Sequence, residues 1–261
     1  SFSVTVVCGG KTVPSASLAI DPSSKTVKNV GTHTITISKG ETATDVMGDP
    51  QTIELEVSGI DITDYYRAFK QSNSSYADTY TAEFTGNDIK PTVLIKPEAD
   101  SATTLVRNVD YTLEYHNCIN ATQTERSTYV TVTGMGAYSG TFNMYYTITP
   151  VDLSKCTISV EQAVYAGPGV PVKPAVRITY GTLTLKRGTD YQINDETAYK
   201  NNDIGATDYL EAEATRIGQP FNAYPSVTIT PGTTGNYSIA GGALNKDFRI
   251  NKLDLRSTTV T

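Results

Sequence analysis

Apolar and polar residues alternate along much of this chain. Thr52-Ile53-Glu54-Leu55-Glu56-Val57 places an apolar side chain at every second position, and Thr32-His33-Thr34-Ile35-Thr36-Ile37 does the same with Ile35 and Ile37, with His33 in the matching place. That is the period of a strand with one buried and one wet face. Ser3-Val4-Thr5-Val6-Val7 alternates less strictly and runs into Gly9-Gly10, a turn signal. By the same criterion strands are predicted at residues 79–84, 92–95, 111–115, 129–133 and 141–149. A second series is predicted at 156–160, 175–180, 191–193, 209–214, 225–230 and 246–250. Two places resist the pattern. Residues 64–79 are the least strand-like: Tyr65 to Lys70 reads as a helical turn or an irregular strand, and Gln71-Ser72-Asn73-Ser74-Ser75 is loop chemistry. Leu210-Glu211-Ala212-Glu213-Ala214 consists of helix formers, but its alternation and its place in the series predict a strand.

The two series are copies of each other. Phe84-Thr85-Gly86, Ile89-Lys90-Pro91 and Leu105-Val106-Arg107-Asn108-Val109-Asp110-Tyr111 return as Tyr165-Ala166-Gly167, Val172-Lys173-Pro174 and Leu185-Lys186-Arg187-Gly188-Thr189-Asp190-Tyr191. Gly136-Ala137-Tyr138-Ser139 returns as Gly235-Asn236-Tyr237-Ser238. Each copy closes on a similar joint, Thr147 to Leu153 and Arg249 to Leu255, and Val57-Ser58-Gly59-Ile60-Asp61-Ile62-Thr63 matches that joint earlier in the chain. Self-similarity in fixed order means modules in a row. The joints predict a partial or divergent module at 1–60, full modules at 61–151 and 152–252 (the latter with insertions), and the start of a further one at 253–261. The chain accordingly reads as a segment of a longer protein.

Composition agrees with an all-β reading. Seventeen Tyr, no Trp, and 20 Gly with 12 Pro suit a protein of many short strands and turns. The formal net charge of −6 opposes nucleic-acid binding, which needs Lys and Arg against phosphates. No run approaches the roughly 20 apolar residues that span a bilayer. Three cysteines, Cys8, Cys118 and Cys156, are an odd count with no C-x-x-C spacing, so the zinc and thioredoxin signals are missing. Cys118 and Cys156 are the pair a bridge would join.

The ordered set Tyr/Phe-x-Gly, Ile/Val-Lys-Pro, Leu-x-Arg-x-x-Asp-Tyr, Gly-x-Gly-x-Tyr-Ser and Ile-x-x-x-Asp-Leu resembles the bacterial immunoglobulin-like repeats of large Gram-positive cell-surface proteins and adhesins, many of them from gut bacteria. The resemblance covers about residues 61–255. It implies tandem immunoglobulin-like β-sandwich modules, an extracellular, cell-surface or wall-attached location, and a stalk or adhesive role without catalysis or cofactor. The residues also have a structural meaning of their own. Asp110 and Asp190 suit turns, Tyr111 and Tyr191 suit strands with a wet hydroxyl, and Lys90-Pro91 and Lys173-Pro174 suit sheet edges.

Catalytic chemistry has little to stand on. The two histidines, His33 and His116, fall in different modules, and no nucleophile elbow, zinc-binding His pair or phosphate loop is present. Asn194-Asp195-Glu196 and Asn201-Asn202-Asp203 are oxygen-rich but lack calcium-loop spacing, so no metal is assigned. Lys90 with Asn143, and Lys173 with Asn245, recur in equivalent places and are candidates for an internal isopeptide crosslink, which requires a dry core. The candidate binding residues are the loop and strand-end tyrosines Tyr76, Tyr80, Tyr138, Tyr199, Tyr224 and Tyr237, since Tyr gives large contact at low entropic cost. Segments 64–79 and 195–208 are the expected recognition loops. The leading expectation is a stalk or adhesion fragment, monomeric, acting through spacing and avidity. Beside it stand a specific receptor module for a host glycoprotein, immunoglobulin or polysaccharide, and an accessory β-domain of a carbohydrate-active enzyme.

Overall fold

A computed structural model describes residues 1–27 and 29–254. The expected opening strand of a further module at 253–261 falls outside them, apart from Leu253 and Asp254. The class is all-β: the described strands form small sheets, with one α-helix, α1 (Thr207–Arg216), among the described residues. The chain divides into two compact units interleaved along the sequence. Unit 1 is Ser1–Tyr80, Lys90–His116 and Thr128–Tyr146; unit 2 is Thr81–Ile89, Asn117–Ser127 and everything from Thr147 on.

In unit 1, Leu18–Asp21, Gly31–Lys39 and Gln51–Val57 form an antiparallel three-stranded sheet. Its register sets Ile20 opposite Ile37 and Ile35 opposite Ile53, so the alternating apolar positions share one face. The strand expected at 3–7 is confined to Val7–Cys8, which pairs with Lys11–Thr12 across Gly9 and Gly10. Both glycines have positive φ, 58° and 80°, as the tight two-residue hairpin turn demands. A second sheet joins Tyr111–His116, Tyr129–Gly134 and Thr141–Tyr145, with Val130 and Val132 fully buried. A third joins Val93–Lys96, Tyr66–Lys70 and Tyr76–Ala77. Residues 64–79 are therefore mostly a β-hairpin. The Gln71 N–H donates to Ser75 O at 2.8 Å across the turn, and Ala68 and Phe69 are buried in the strand. Burial of those side chains outweighs the weak alternation of the segment.

In unit 2, Ser226–Pro231 runs through a four-stranded sheet beside Tyr191–Gln192, Tyr199–Lys200 and Leu244–Asp247. Thr157–Val160, Val176–Tyr180 and Leu183–Thr184 form another. Short parallel pairs join Thr81–Glu83 to Thr147–Thr149, Val151–Asp152 to Tyr237–Ser238, and Ala163–Val164 to Ile250–Asn251. Ile148, Val151, Leu153, Ile178, Val227 and Ile229 are fully buried. The three cysteines are free thiols. Cys118 and Cys156 do not pair: Cys118 is buried on its own, and Cys156 is half-buried, its thiol pushed up by loss of solvent.

The repeated residues build the same geometry twice. The Val106 N–H donates to Asp110 Oδ2 at 2.7 Å, and the Lys186 N–H to Asp190 Oδ2 at 2.8 Å. In the same turns the N–H groups of Asn108 and Gly188 donate to Tyr111 O and Tyr191 O, each at 2.7 Å. The tyrosine hydroxyls then reach the neighbouring strand: Tyr111 to Val93 O and Tyr191 to Val176 O. A second tyrosine in each copy, Tyr115 and Tyr199, donates to the carbonyl of the Lys-Pro proline, Pro91 at 2.6 Å and Pro174 at 2.9 Å. The proline thus offers a carbonyl where it cannot offer an N–H. Asn108 and Gly188 hold the one left-handed position of the turn, φ 64° and 90°. Asn108→Ala is expected to cost about 1 kcal/mol in a denaturant melt, while Asn108→Gly stays near neutral, because a Cβ without a polar tip is disfavoured there.

Candidate functional site

The least repetitive part of unit 2 is α1 and the chain that follows it. Leu210, Glu211, Ala212, Glu213, Ala214 and Arg216 are strong helix formers. What decides helix over the expected strand at 209–214 is the pair Asp208 and Glu211. Three residues apart, they share one face of a helix but would point to opposite faces of a strand. Both carboxylates take the guanidinium of Arg249, which bonds Asp208 Oδ1 through Nη2 and both oxygens of Glu211. At the start of α1 the buried Thr207 Oγ1 accepts the N–H of Ile250 at 2.9 Å. At its end Gly218, φ 67°, lets the Gln219 N–H turn back to Ala214 O at 2.9 Å.

Tyr224 completes the arrangement. Its hydroxyl donates to Glu211 Oε1 at 2.7 Å, and its ring meets Phe221 edge-on with centroids 4.9 Å apart. The Arg249 and Tyr224 bonds hold the Glu211 carboxyl below the usual glutamate range, and the same contacts raise Arg249 and Tyr224. A carboxylate with a lowered folded pKa contributes its stability above the ordinary glutamate range and loses it as pH falls through the folded value. Amide protection across Thr207–Arg216, measured against the exchange rate of an unstructured chain at each pH, is therefore expected to stay constant from neutral pH to the ordinary glutamate range, then fall as Glu211 protonates. Arg249→Ala should lower that protection at neutral pH and shrink the acid step to what the Tyr224 bond alone maintains.

Two clefts open beside Arg249. One, of about 340 Å3, is lined by Glu161, Gln162, Lys246, Asp247, Arg249 and Asn251, together with Val160 and Phe248. The other, of about 210 Å3, is lined by Tyr224, Asp247, Phe248 and Arg249. They share Asp247, Phe248 and Arg249, so these residues form a wall common to both.

Of the tyrosines picked out by sequence, Tyr224 belongs to this site. Tyr237 is buried edge-on to Phe84 at 5.6 Å, and burial pushes its phenol up to about 12. Tyr199 is tied to Pro174 O by its hydroxyl. In unit 1, Tyr80 packs on Phe69 and Tyr146, Tyr138 packs edge-on to Tyr65, and Tyr76 is exposed on its short strand. Tyr80, Tyr138, Tyr199 and Tyr237 thus hold the fold. The isopeptide candidates Lys90, Asn143, Lys173 and Asn245 are all exposed, so none has the dry enclosure such a crosslink needs. Asn143 and Asn245 instead accept the hydroxyls of Thr131 and Thr228 across paired strands, at 2.9 and 2.7 Å, and Lys173 donates to Asp195 O.

The oxygen-rich loops are turns. Asn194 Oδ1 accepts the Glu196 N–H, Asp195 takes Arg187, and Asn202 Nδ2 donates to Val172 O. Among the described residues no group of three or more His, Cys, Asp and Glu side chains is placed to hold a metal. His116 stacks on Tyr129 and reaches Thr131 Oγ1, while His33 reaches Asn29 O. No helix among the described residues is long and apolar enough to cross a membrane. Comparison with protein-family models, with curated proteins and with solved structures finds no match.

The sequence reading missed Asp208, Glu211 and Arg249. The i, i+3 carboxylates inside a run of helix formers were the available signal.

Proposed function

We propose that this chain is a run of tandem immunoglobulin-like β-sandwich modules from an exported bacterial surface protein, and that its role is non-enzymatic display and adhesion. The observation that carries the reading is the duplicated Asp-Tyr turn with its tyrosine tethers, built from the residues on which the resemblance to surface repeats rests. Identical scaffolding used twice favours spacing and avidity, in which repetition raises effective concentration without new contacts. A specific recognition module is the second reading. It is favoured by α1, which interrupts the repeat, leaves Tyr209 59% exposed and stands beside the Arg249 clefts.

Labelling intact source cells with antibody to the purified chain tests the display role. Surface signal removed by external protease is the expected result. Signal only after the cells are broken would overturn it.

A further inference from the structure

We propose that the two clefts beside Arg249 bind a neutral saccharide. The proposal rests on the recognition reading above and adds the class of ligand.

Charge narrows the choice first. The positive charge of Arg249 is met by Asp208 and Glu211, so it is not available to neutralise a phosphate or sulfate. The other ionisable side chains lining the clefts are Glu161 and Asp247 against Lys246, which leaves no cationic surplus for an anion. An apolar ligand fits no better. Val160 and Phe248 are the two apolar residues lining the larger cleft, the one half-buried and the other only 6% exposed, and every other residue lining it is polar or charged.

What does face it is a set of short polar forks. Glu161, Gln162, Asp247 and Asn251 offer paired acceptor or amide groups, and Lys246 offers a donor. Such groups match the alternating donors and acceptors of adjacent sugar hydroxyls. Across the shared Asp247–Arg249 wall, in the smaller cleft, Tyr224 supplies an aromatic face for the C–H side of a further pyranose of the same chain. Its ring is fixed before any ligand arrives, by the hydroxyl bond to Glu211 and by Phe221. Fixing the wall in advance lowers the ordering cost of binding. The larger cleft, about 340 Å3, is already within the range of small-ligand sites.

The test is titration of the whole chain with neutral linear tetrasaccharides of glucose, mannose and galactose, followed by backbone amide NMR. At least one should give saturable shifts at Glu161–Gln162, Tyr224 and Lys246–Asn251. Gln162 is exposed, so Gln162→Ala is expected to keep the fold and bind about tenfold more weakly, the loss of one good hydrogen bond. Tyr224→Phe should keep the aromatic wall and most of the affinity, whereas Tyr224→Ala should lose both. No saturable shift with any of the three sugars, in a chain whose spectrum shows it folded, would overturn the proposal. So would shifts confined to other residues. Either result leaves the cell-labelling test of display untouched, so the two failures are distinguishable.

Discussion

Phe69→Ala is expected to destabilise unit 1 by about 3–5 kcal/mol, the usual cost of emptying a buried aromatic site. Phe69 is fully buried on the strand Tyr66–Lys70, and its ring meets Tyr80 and Tyr146 at centroid distances of 6.0 and 5.9 Å. Tyr80 and Tyr146 also meet each other, at 6.2 Å, so the three rings form one packed cluster. Alanine removes the shared member and leaves two half-supported rings facing a void. Phe69→Leu refills most of the volume and should cost far less, about 1 kcal/mol. Native-state amide exchange at Val93–Lys96, which pairs with the Phe69 strand, reads the difference. Equal protection in the alanine variant and the parent would contradict the packing described.

The second large effect is expected at Gly232. A Cβ there would lie 2.0 Å from Thr189 O, 2.4 Å from Thr189 C and 2.5 Å from Asp190 C. All three are backbone atoms of the Asp190 turn, so no flexible side-chain tip can move aside. Gly232 lies this close because its N–H donates to Asp190 O, and Thr234 N–H to Thr189 O, each at 3.1 Å. Gly232→Ala must push the turn away and strain those bonds, at about 3 kcal/mol, the upper end for overpacking. Gly241→Ala is the control: the space around it is open, and only its positive φ, 82°, is charged against alanine, about 1 kcal/mol. Thermal melts of the two variants should therefore separate clearly, with Gly232→Ala the lower.

Much of the fold was legible because alternation and turn residues act locally. Gly31–Lys39 and Gln51–Val57 contain the runs of alternating residues that predicted them. The Asp-Tyr repeat marked a turn before its hydrogen bonds were known. Two of the misses were settled by a partner distant in sequence. Leu18–Asp21 is too short to show a period, and it exists because Gly31–Lys39 offers it a register. Residues 209–214 alternate like a strand, but Arg249, 38 residues beyond Glu211, fixes them as helix. The tyrosines are ambiguous in sequence for a related reason. Composition marks Tyr as contact-forming without saying whether the contact is a ligand or a neighbouring strand's carbonyl. Tyr199 is tied to Pro174 O by its hydroxyl, and Tyr237 packs its ring edge-on to Phe84.

The functional proposal depends on the repeated residues building one turn twice, and grafting one copy's turn onto the other tests that most directly. The triple substitution Val106→Lys, Asn108→Gly and Val109→Thr gives the first turn the residues of Lys186, Gly188 and Thr189. Val106 and Val109 are 55% and 60% exposed, and Asn108 already holds the left-handed position, so nothing buried changes. The predicted result is a denaturation midpoint within about 1 kcal/mol of the parent, as for exposed substitutions generally, with amide protection at Tyr111–His116 retained. A collapse of that protection in the grafted chain would show that the two turns are not the same structure, and the repeat-based account of this protein would fail with it.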